Sequence, residues 1–299
     1  MRTPRGSCSM GTSDRRYLLT GLLFSMLWAS ASVAGKFGLK GAEPLVFFTL
    51  RFLLAGALLL AYVSLVEKSR LPAGREWVQL TIFGTLNTTL YLGLFIVALQ
   101  HVTPGITTLA IALNPLFISI MSALLMKRRV KGIEWLSIAL GVAGVIIAAY
   151  PLLRDSQATT TGMLLLAASM VAYSYGAVYY AGVDWQLSRT TINAWQVFLG
   201  GILIAPFAGL LHKVPSRFDL TFWLSLAWLI VPVSIGAVQL WLRLLKTDAV
   251  RASLWLYLCP VFGFLYAAVL LHEPLTLFTL AGTALVLLAL YLGQQKQQQ

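Results

Sequence analysis

Polar side chains set inside long apolar runs are where this 299-residue chain could do chemistry. Trp28 lies about eleven residues into the first run, with Ser25 and Ser32 on its helical face at i−3 and i+4. Asn87, Thr88 and Tyr91 form one face of the third run, and Asn114 lies at the centre of the fourth. Tyr173 and Tyr175 are at the centre of the sixth; two residues apart, they cannot share a face. Gln239 lies deeper, toward the far end of the eighth run. Amides, hydroxyls and aromatic rings without formal charge suit a neutral or zwitterionic amphiphile, held by a few placed polar groups on apolar walls. Taken singly, each residue reads as interhelical hydrogen bonding or packing. As a set they read as a cavity.

Arg51 is the exception among the charges, about seven residues, or roughly 10 Å, inside the second run. One reading makes it an anchor for an anionic group such as a substrate carboxylate. The other, preferred on the sequence alone, has a long side chain snorkelling to the interface or capping nearby carbonyls. All ten acidic residues lie in loops or within a few residues of a run's end. That distribution argues against a buried carboxylate proton relay and against a carboxylate-lined cation path. His101, His212 and His272 are all at run ends, with no HExxH or DDxxD pattern. No CxxC is present, and a disulfide between Cys8, in the polar tail, and Cys259, in a run, is not expected. No enzyme activity, catalytic set, metal or cofactor is therefore expected.

The elements that position these residues are helices. Hydrophobic residues make up 59% of the chain and charged residues 11%, with a mean hydropathy of +0.81, against roughly 25% charged in soluble proteins. Continuous apolar runs rather than alternating strands exclude a β-barrel. Each crossing needs about 20 residues, and ten runs meet this: 17–36, 44–65, 77–99, 104–126, 133–152, 162–180, 191–211, 221–244, 249–271 and 275–292. The fold class is all-α integral membrane with ten transmembrane helices. Ala29-Ser30-Ala31 would suit a signal-peptidase site, but cleavage there would remove a helix that the rest of the chain requires.

The net charge of +12 does not indicate nucleic acid, because the basic residues lie in loops between spans rather than on one face. With the N-terminus inside, 16 Lys and Arg fall in cytoplasmic segments and 5 in outer ones. Both termini are expected in the cytoplasm. Trp241 and Trp255 are assigned to the inner aromatic belt.

A constant offset of 145 residues relates the two halves. It sets Pro260 on Pro115, Phe262 on Phe117, Leu270 on Leu125, Gly201 on Gly56 and Leu244 on Leu99, the sign of a duplicated unit. The expected organisation is a disordered cytoplasmic tail over 1–16, a five-helix repeat over 17–152, a junction over 153–161, a second repeat over 162–293 and a tail over 294–299. An odd number of spans per copy forces the second copy to enter from the opposite side. The loop Met126-Lys-Arg-Arg-Val-Lys131 is basic, while its counterpart Leu271-His-Glu-Pro-Leu-Thr276 has no Lys or Arg. Two inverted-topology five-helix repeats, with a site near the midplane between them, are the plan of many secondary transporters. Pro115 and Pro260 each delete a mid-span hydrogen bond. At equivalent places in the two copies they read as paired gates, or else as fixed kinks that shape packing. Gln196 is aligned with Arg51 and is expected near the inner end of its span.

These residues resemble the ten-helix, EamA-type exporters of the drug/metabolite transporter superfamily over about 17–293. The resemblance is carried by Leu27-Trp28-Ala29-Ser30, by Leu50-Arg51-Phe52-Leu53-Leu54, by the Asn114-Pro115-Leu116-Phe117 and Cys259-Pro260-Val261-Phe262 steps, and by the ending Leu270-Leu271-His272-Glu273-Pro274-Leu275-Thr276. Arg128 stands where that ending has Glu, and His272 where Gly is usual. The resemblance implies export of small metabolites, commonly amino acids or related amphiphilic compounds, by alternating access through a central cavity. The implied placement is the cell inner membrane. The expected partners are a small-molecule substrate and the lipid bilayer, with a homodimer left open and no nucleic acid. Other readings are a carrier of another substrate class, such as nucleotide sugars, and a non-transporting receptor or scaffold.

Overall fold

The computed structural model describes residues 12–98, 101–102, 104–154, 158–211, 215–271 and 276–294. Most of the expected N-terminal tail, residues 155–157 of the junction, the cap residues 272–275, His212 and the last five residues lie outside them. In lipid a backbone must satisfy its own hydrogen bonds, and an apolar run does so as a helix. Among the described residues nine helices are long and apolar enough to cross a bilayer: α1 (Arg15–Gly38), α2 (Pro44–Leu65), α3 (Arg75–Ala98), α4 (Thr108–Leu125), α6 (Thr160–Gly182), α7 (Arg189–Leu210), α8 (Leu220–Thr247), α9 (Ala249–Leu270) and α10 (Leu277–Gln294). Between α4 and α6 lies a shorter apolar helix, α5 (Gly132–Ala148). The sequence reading carries the fifth run to residue 152, but the helix stops at Ala148 and a separate turn covers Tyr150–Arg154. Pro151 explains the break: it has no N–H for the Ile147 carbonyl and disfavours α geometry in the residue before it.

The helix starts follow local chemistry. Pro44 opens α2, where a missing N–H costs nothing. Asp219 caps α8 by accepting from the Phe222 N–H at 2.7 Å, and Asp248 caps α9 by accepting from the Arg251 N–H at 3.0 Å.

Four of the helices depart from α geometry in mid-course. Thr85–Leu90 in α3 and Leu229–Ala237 in α8 are π-helical, the latter around Pro232. In α9 a 3₁₀ turn, Leu254–Tyr257, precedes Pro260, and the fourth run breaks at Leu113, ahead of Pro115. A proline clashes with the carbonyl four residues back, and a tightened or broken turn there relieves the clash.

The closest helix pairs are α2 with α7 and α5 with α10. Both rest on small residues, as expected where no hydrophobic force draws helices together in lipid. A methyl on Gly56 would fall 2.6 Å from Phe198 Cβ, and one on Gly201 would fall 3.0 Å from Phe52 Cβ and 3.1 Å from Leu53 N. Gly144 and Gly282 meet back to back, and the Ser137 hydroxyl donates to the Ala289 carbonyl at 2.5 Å. These contacts interchange under the 145-residue offset: 56 with 198 maps onto 201 with 53, and 137 with 289 maps onto 282 with 144. The outer surface is bare of polar groups over wide areas, with Leu58, Leu203, Leu224 and Val231 all exposed, which suits lipid contact.

Candidate functional site

A chain of side-chain hydrogen bonds runs through the interior from α2 to α3. Arg51 is 6% exposed, and its Nε donates to the Ser234 hydroxyl at 2.9 Å. The Ser234 carbonyl accepts from Asn193 Nδ2 at 3.0 Å, and Asn193 Oδ1 accepts from Gln196 Nε2 at 3.1 Å. Gln196 Oε1 then accepts from the Thr88 hydroxyl at 2.9 Å and from Asn87 Nδ2 at 3.2 Å. Ser234 lies in the π segment of α8, and Asn87 and Thr88 lie in that of α3. A π turn displaces the regular ladder, which is why the Ser234 carbonyl is available to a side chain.

The Arg51 guanidinium sits over the Phe52 and Phe48 rings, at 5.3 and 5.6 Å. Among the described residues it makes one hydrogen bond and no ion pair. Snorkelling is therefore not what this side chain does: it turns inward, to Ser234.

A second chain, of aromatic rings, starts at Tyr91, which is within electrostatic reach of Arg51. The Tyr91 ring lies 4.6 Å from that of Tyr173, which stacks on Trp241 at 6.0 Å. Trp241 stacks on Phe24 at 5.0 Å, and Phe24 meets Trp28 at 5.6 Å. Asn114 is buried where α4 restarts, its Oδ1 accepting from the Ser174 hydroxyl at 3.3 Å. Four buried polar atoms have no partner here among the described residues: Asn87 Oδ1, the Tyr173 hydroxyl, Gln239 Nε2 and Trp241 Nε1. Unpaired polar atoms are uncommon in protein interiors and mark places where a water or ligand would be held.

Of the residues singled out from sequence, Trp28, Asn87, Tyr91, Tyr173 and Arg51 belong to these two connected chains. Tyr175 is exposed, on the opposite face from Tyr173. Ser32 is exposed, and its hydroxyl donates to the Ala29 carbonyl of its own helix at 2.8 Å. Pro115 is buried, its carbonyl accepting from the Ser119 hydroxyl at 2.7 Å, and Pro260 is half-buried. The belt assignment of Trp241 and Trp255 is corrected: they are 1% and 4% exposed. A belt indole presents its N–H to the headgroups, whereas Trp241 is sandwiched between Phe24 and Tyr173. Thr88, singled out with Asn87, joins the same chain, and Asn193 and Ser234 are further members that single-residue inspection passes over. Asn193 precedes Gln196 by three, on one helical face, and Ser234 less the offset falls on Thr89, beside Thr88.

A separate ion cluster joins the two halves at loops. The Arg128 guanidinium donates to Glu134 at 2.6 and 3.0 Å and to Asp248 at 2.7 Å. Burial works against its charge, but the hydrogen bonds to Glu134 and Asp248 outweigh that and hold its pKa above the ordinary arginine value. Arg128, which replaces Glu in the family ending, thus ties the α4–α5 loop to the α8–α9 corner.

Residues 15–150 and 160–293 each match the sequence profile of the EamA-like transporter family. A protein of Archaeoglobus fulgidus described as an uncharacterized transporter is 29% identical, the match covering 90% of this chain and 95% of that protein. The inner membrane transporter YedA of Escherichia coli K12, also described as uncharacterized, is 26% identical over 86% of this chain and 84% of its own length. One crystal structure superposes with a TM-score of 0.79 at 21% identity, covering 93% of this chain and 96% of that one. That likeness concerns the fold.

Proposed function

The chain belongs to the EamA-like transporter family, and from that premise we propose that it exports small metabolites, amino acids or related amphiphilic compounds, across the cell inner membrane. The observation that carries this reading is the buried hydrogen-bond chain from Arg51 to Asn87, which crosses α2, α8, α7 and α3 and so draws on both family-matched halves. In this reading α5 completes ten spans in two inverted five-helix repeats, and both termini face the cytoplasm. Interchange of contacts under the 145-residue offset, at α2–α7 and at α5–α10, supports that symmetry. The binding site comprises Arg51, Trp28, Ser32, Asn87, Tyr91, Asn114, Tyr173 and Gln239, with Pro115 and Pro260 as gates on either side. Alternating access exposes it first inside, then outside.

Among the described residues no carboxylate lies deep in a span, so facilitated export or exchange is preferred over proton coupling. The test is efflux from proteoliposomes loaded in turn with labelled amino acids, purines and sugars, with and without an imposed pH gradient. Saturable efflux of one class without the gradient is the expected result. Flux only with the gradient would overturn the facilitative part. No flux for any compound from folded protein would overturn the reading and favour a receptor or scaffold. A nucleotide-sugar carrier is second, and it would call for more positive charge than Arg51 supplies.

A further inference from the structure

Arg51 carries a positive charge that none of the ion pairs found among the described residues meets. Five of the acidic residues are engaged or exposed at loops far along the chain from it: Glu76 with Arg70, Glu134 and Asp248 with Arg128, Asp219 at a helix cap, and Asp184 with Gln186. The guanidinium has five N–H donors in a planar fork matched to a carboxylate. Here Nε goes to Ser234, and among the described residues the two Nη groups, which form the open end of that fork, make no hydrogen bond.

An arginine deep in a span is costly, and a hydrogen bond from a charged donor together with two ring contacts is of the size that offsets that cost. These contacts let Arg51 exist where it is, yet leave the carboxylate-shaped end of the fork unused. A purely structural arginine would be expected to spend those donors on carbonyls or a carboxylate.

The surroundings are equally specific. Ser234 fixes the Nε edge, so the Nη edge is aimed rather than free to swing. Phe48 and Phe52 line the guanidinium, and Tyr91, the first ring of the aromatic chain, is buried within electrostatic reach of it. Polar atoms without partners, Asn87 Oδ1 and the Tyr173 hydroxyl, belong to the same two chains.

We propose that Arg51 is a carboxylate anchor, and that the molecule moved by this protein is a small organic acid or zwitterion whose carboxylate pairs with the Nη edge while an apolar or aromatic remainder lies against the rings. This rests on the transport reading and narrows its substrate class. Nucleobases, neutral sugars and cations lack the group that Arg51 would pair with.

Binding tests this without requiring flux. Purified full-length protein in phosphatidylcholine nanodiscs is titrated with phenylalanine, leucine and benzoate, and with phenylalaninamide, leucinamide and benzamide, while thermal unfolding is followed. At least one acid is expected to raise the unfolding temperature saturably where its amide does not. Arg51→Gln should weaken that acid by at least about tenfold while its own unfolding temperature without ligand stays within a few degrees of wild type. Arg51→Lys, which keeps the charge and loses the fork, should fall between. Equal effects of acid and amide, no effect of any acid, or an acid effect unchanged in Arg51→Gln would each overturn the proposal. So would collapse of both variants, which would make Arg51 structural. Stabilisation by phosphatidylglycerol nanodiscs in place of the acids would assign the anion to lipid and also overturn it. Flux of an uncharged compound through protein that fails these titrations would sink the anchor and leave the transport reading standing.

Discussion

Arg51 and Gln196, 145 residues apart, each bury a polar side chain against the π-helical segment of the opposite half, Arg51 on Ser234 and Gln196 on Thr88 and Asn87. The pair is symmetric in place and asymmetric in charge. Duplicated helices supply the same geometry twice, and one copy has put a cation where the other has an amide. If the proposed site lies between these halves, it has a positive and a neutral end, and a zwitterion bound there would take one preferred orientation.

The Gln196 amide is the junction that pairs the Thr88 hydroxyl, Asn87 Nδ2 and Asn193 Oδ1. Gln196→Leu keeps the volume and strands those three groups. Interhelical hydrogen bonds in membranes contribute about 0.6 kcal/mol on average, while a buried unpaired group costs about 1–3 kcal/mol. A loss of about 1–3 kcal/mol is expected in reversible unfolding in mixed micelles, and no loss would mean that water already serves these groups.

The helical plan was legible from the sequence because apolar runs in lipid leave the backbone few choices, and the duplication because helices that pack alike keep alike residues. What stayed hidden arises from local distortion. Nothing in Thr85–Leu90 announces a π segment: Pro232 marks its counterpart in α8, but the equivalent position in α3 is Asn87. A π turn changes the facing of the side chains after it, and the belt assignment of Trp241 rests on its place near the end of the span, which does not tell that Phe24 and Tyr173 enclose it. Arg51 was misjudged for another reason. Snorkelling depends on whether an inward acceptor exists, and Ser234 lies 183 residues away in sequence.

Glycine substitutions should rank by what a methyl would meet. At Gly56 it would fall 2.6 and 2.7 Å from Phe198 Cβ and Cα, so α2 and α7 must part. At Gly201 the nearest atoms are 3.0 to 3.2 Å away, and at Gly35 nothing lies within 4 Å. Gly56→Ala should cost about 1–3 kcal/mol and Gly201→Ala less. Gly35→Ala should be neutral or stabilising by up to about 1 kcal/mol. Unfolding of the three variants side by side checks the order, and equal losses at Gly56 and Gly35 would contradict the close packing.

Arg128 offers a test of coupling between the halves. It donates to Glu134 within its own half and to Asp248 in the other, and all three side chains are partly shielded from water. A double-mutant cycle on Arg128→Ala and Asp248→Asn should return about 0.5–3 kcal/mol of interaction energy. If the two loops separate during the transport cycle, Arg128→Ala also favours the separated state. A reporter Ala252→Cys, at a buried position in the first turn of α9, should then react faster with a membrane-impermeant thiol reagent. An unchanged labelling rate would confine the tie to a static role.

The prolines separate a gate from a fixed kink. The chain has already broken at Leu113 before Pro115 and tightened into a 3₁₀ turn before Pro260, so neither proline strains a regular helix. Alanine at either place restores the missing N–H and lets the helix run straight, at little cost or a small gain in stability. In Pro115→Ala the straightened helix would rotate Asn114 away from Ser174, and the 3.3 Å hydrogen bond would be lost. If the interruptions are hinges, each alanine variant should fold at wild-type levels, unfold no more easily, and carry flux at least about tenfold more slowly. Flux that falls only in proportion to folded protein would identify fixed kinks. A fall in one variant but not the other would place the moving element on one side of the site alone.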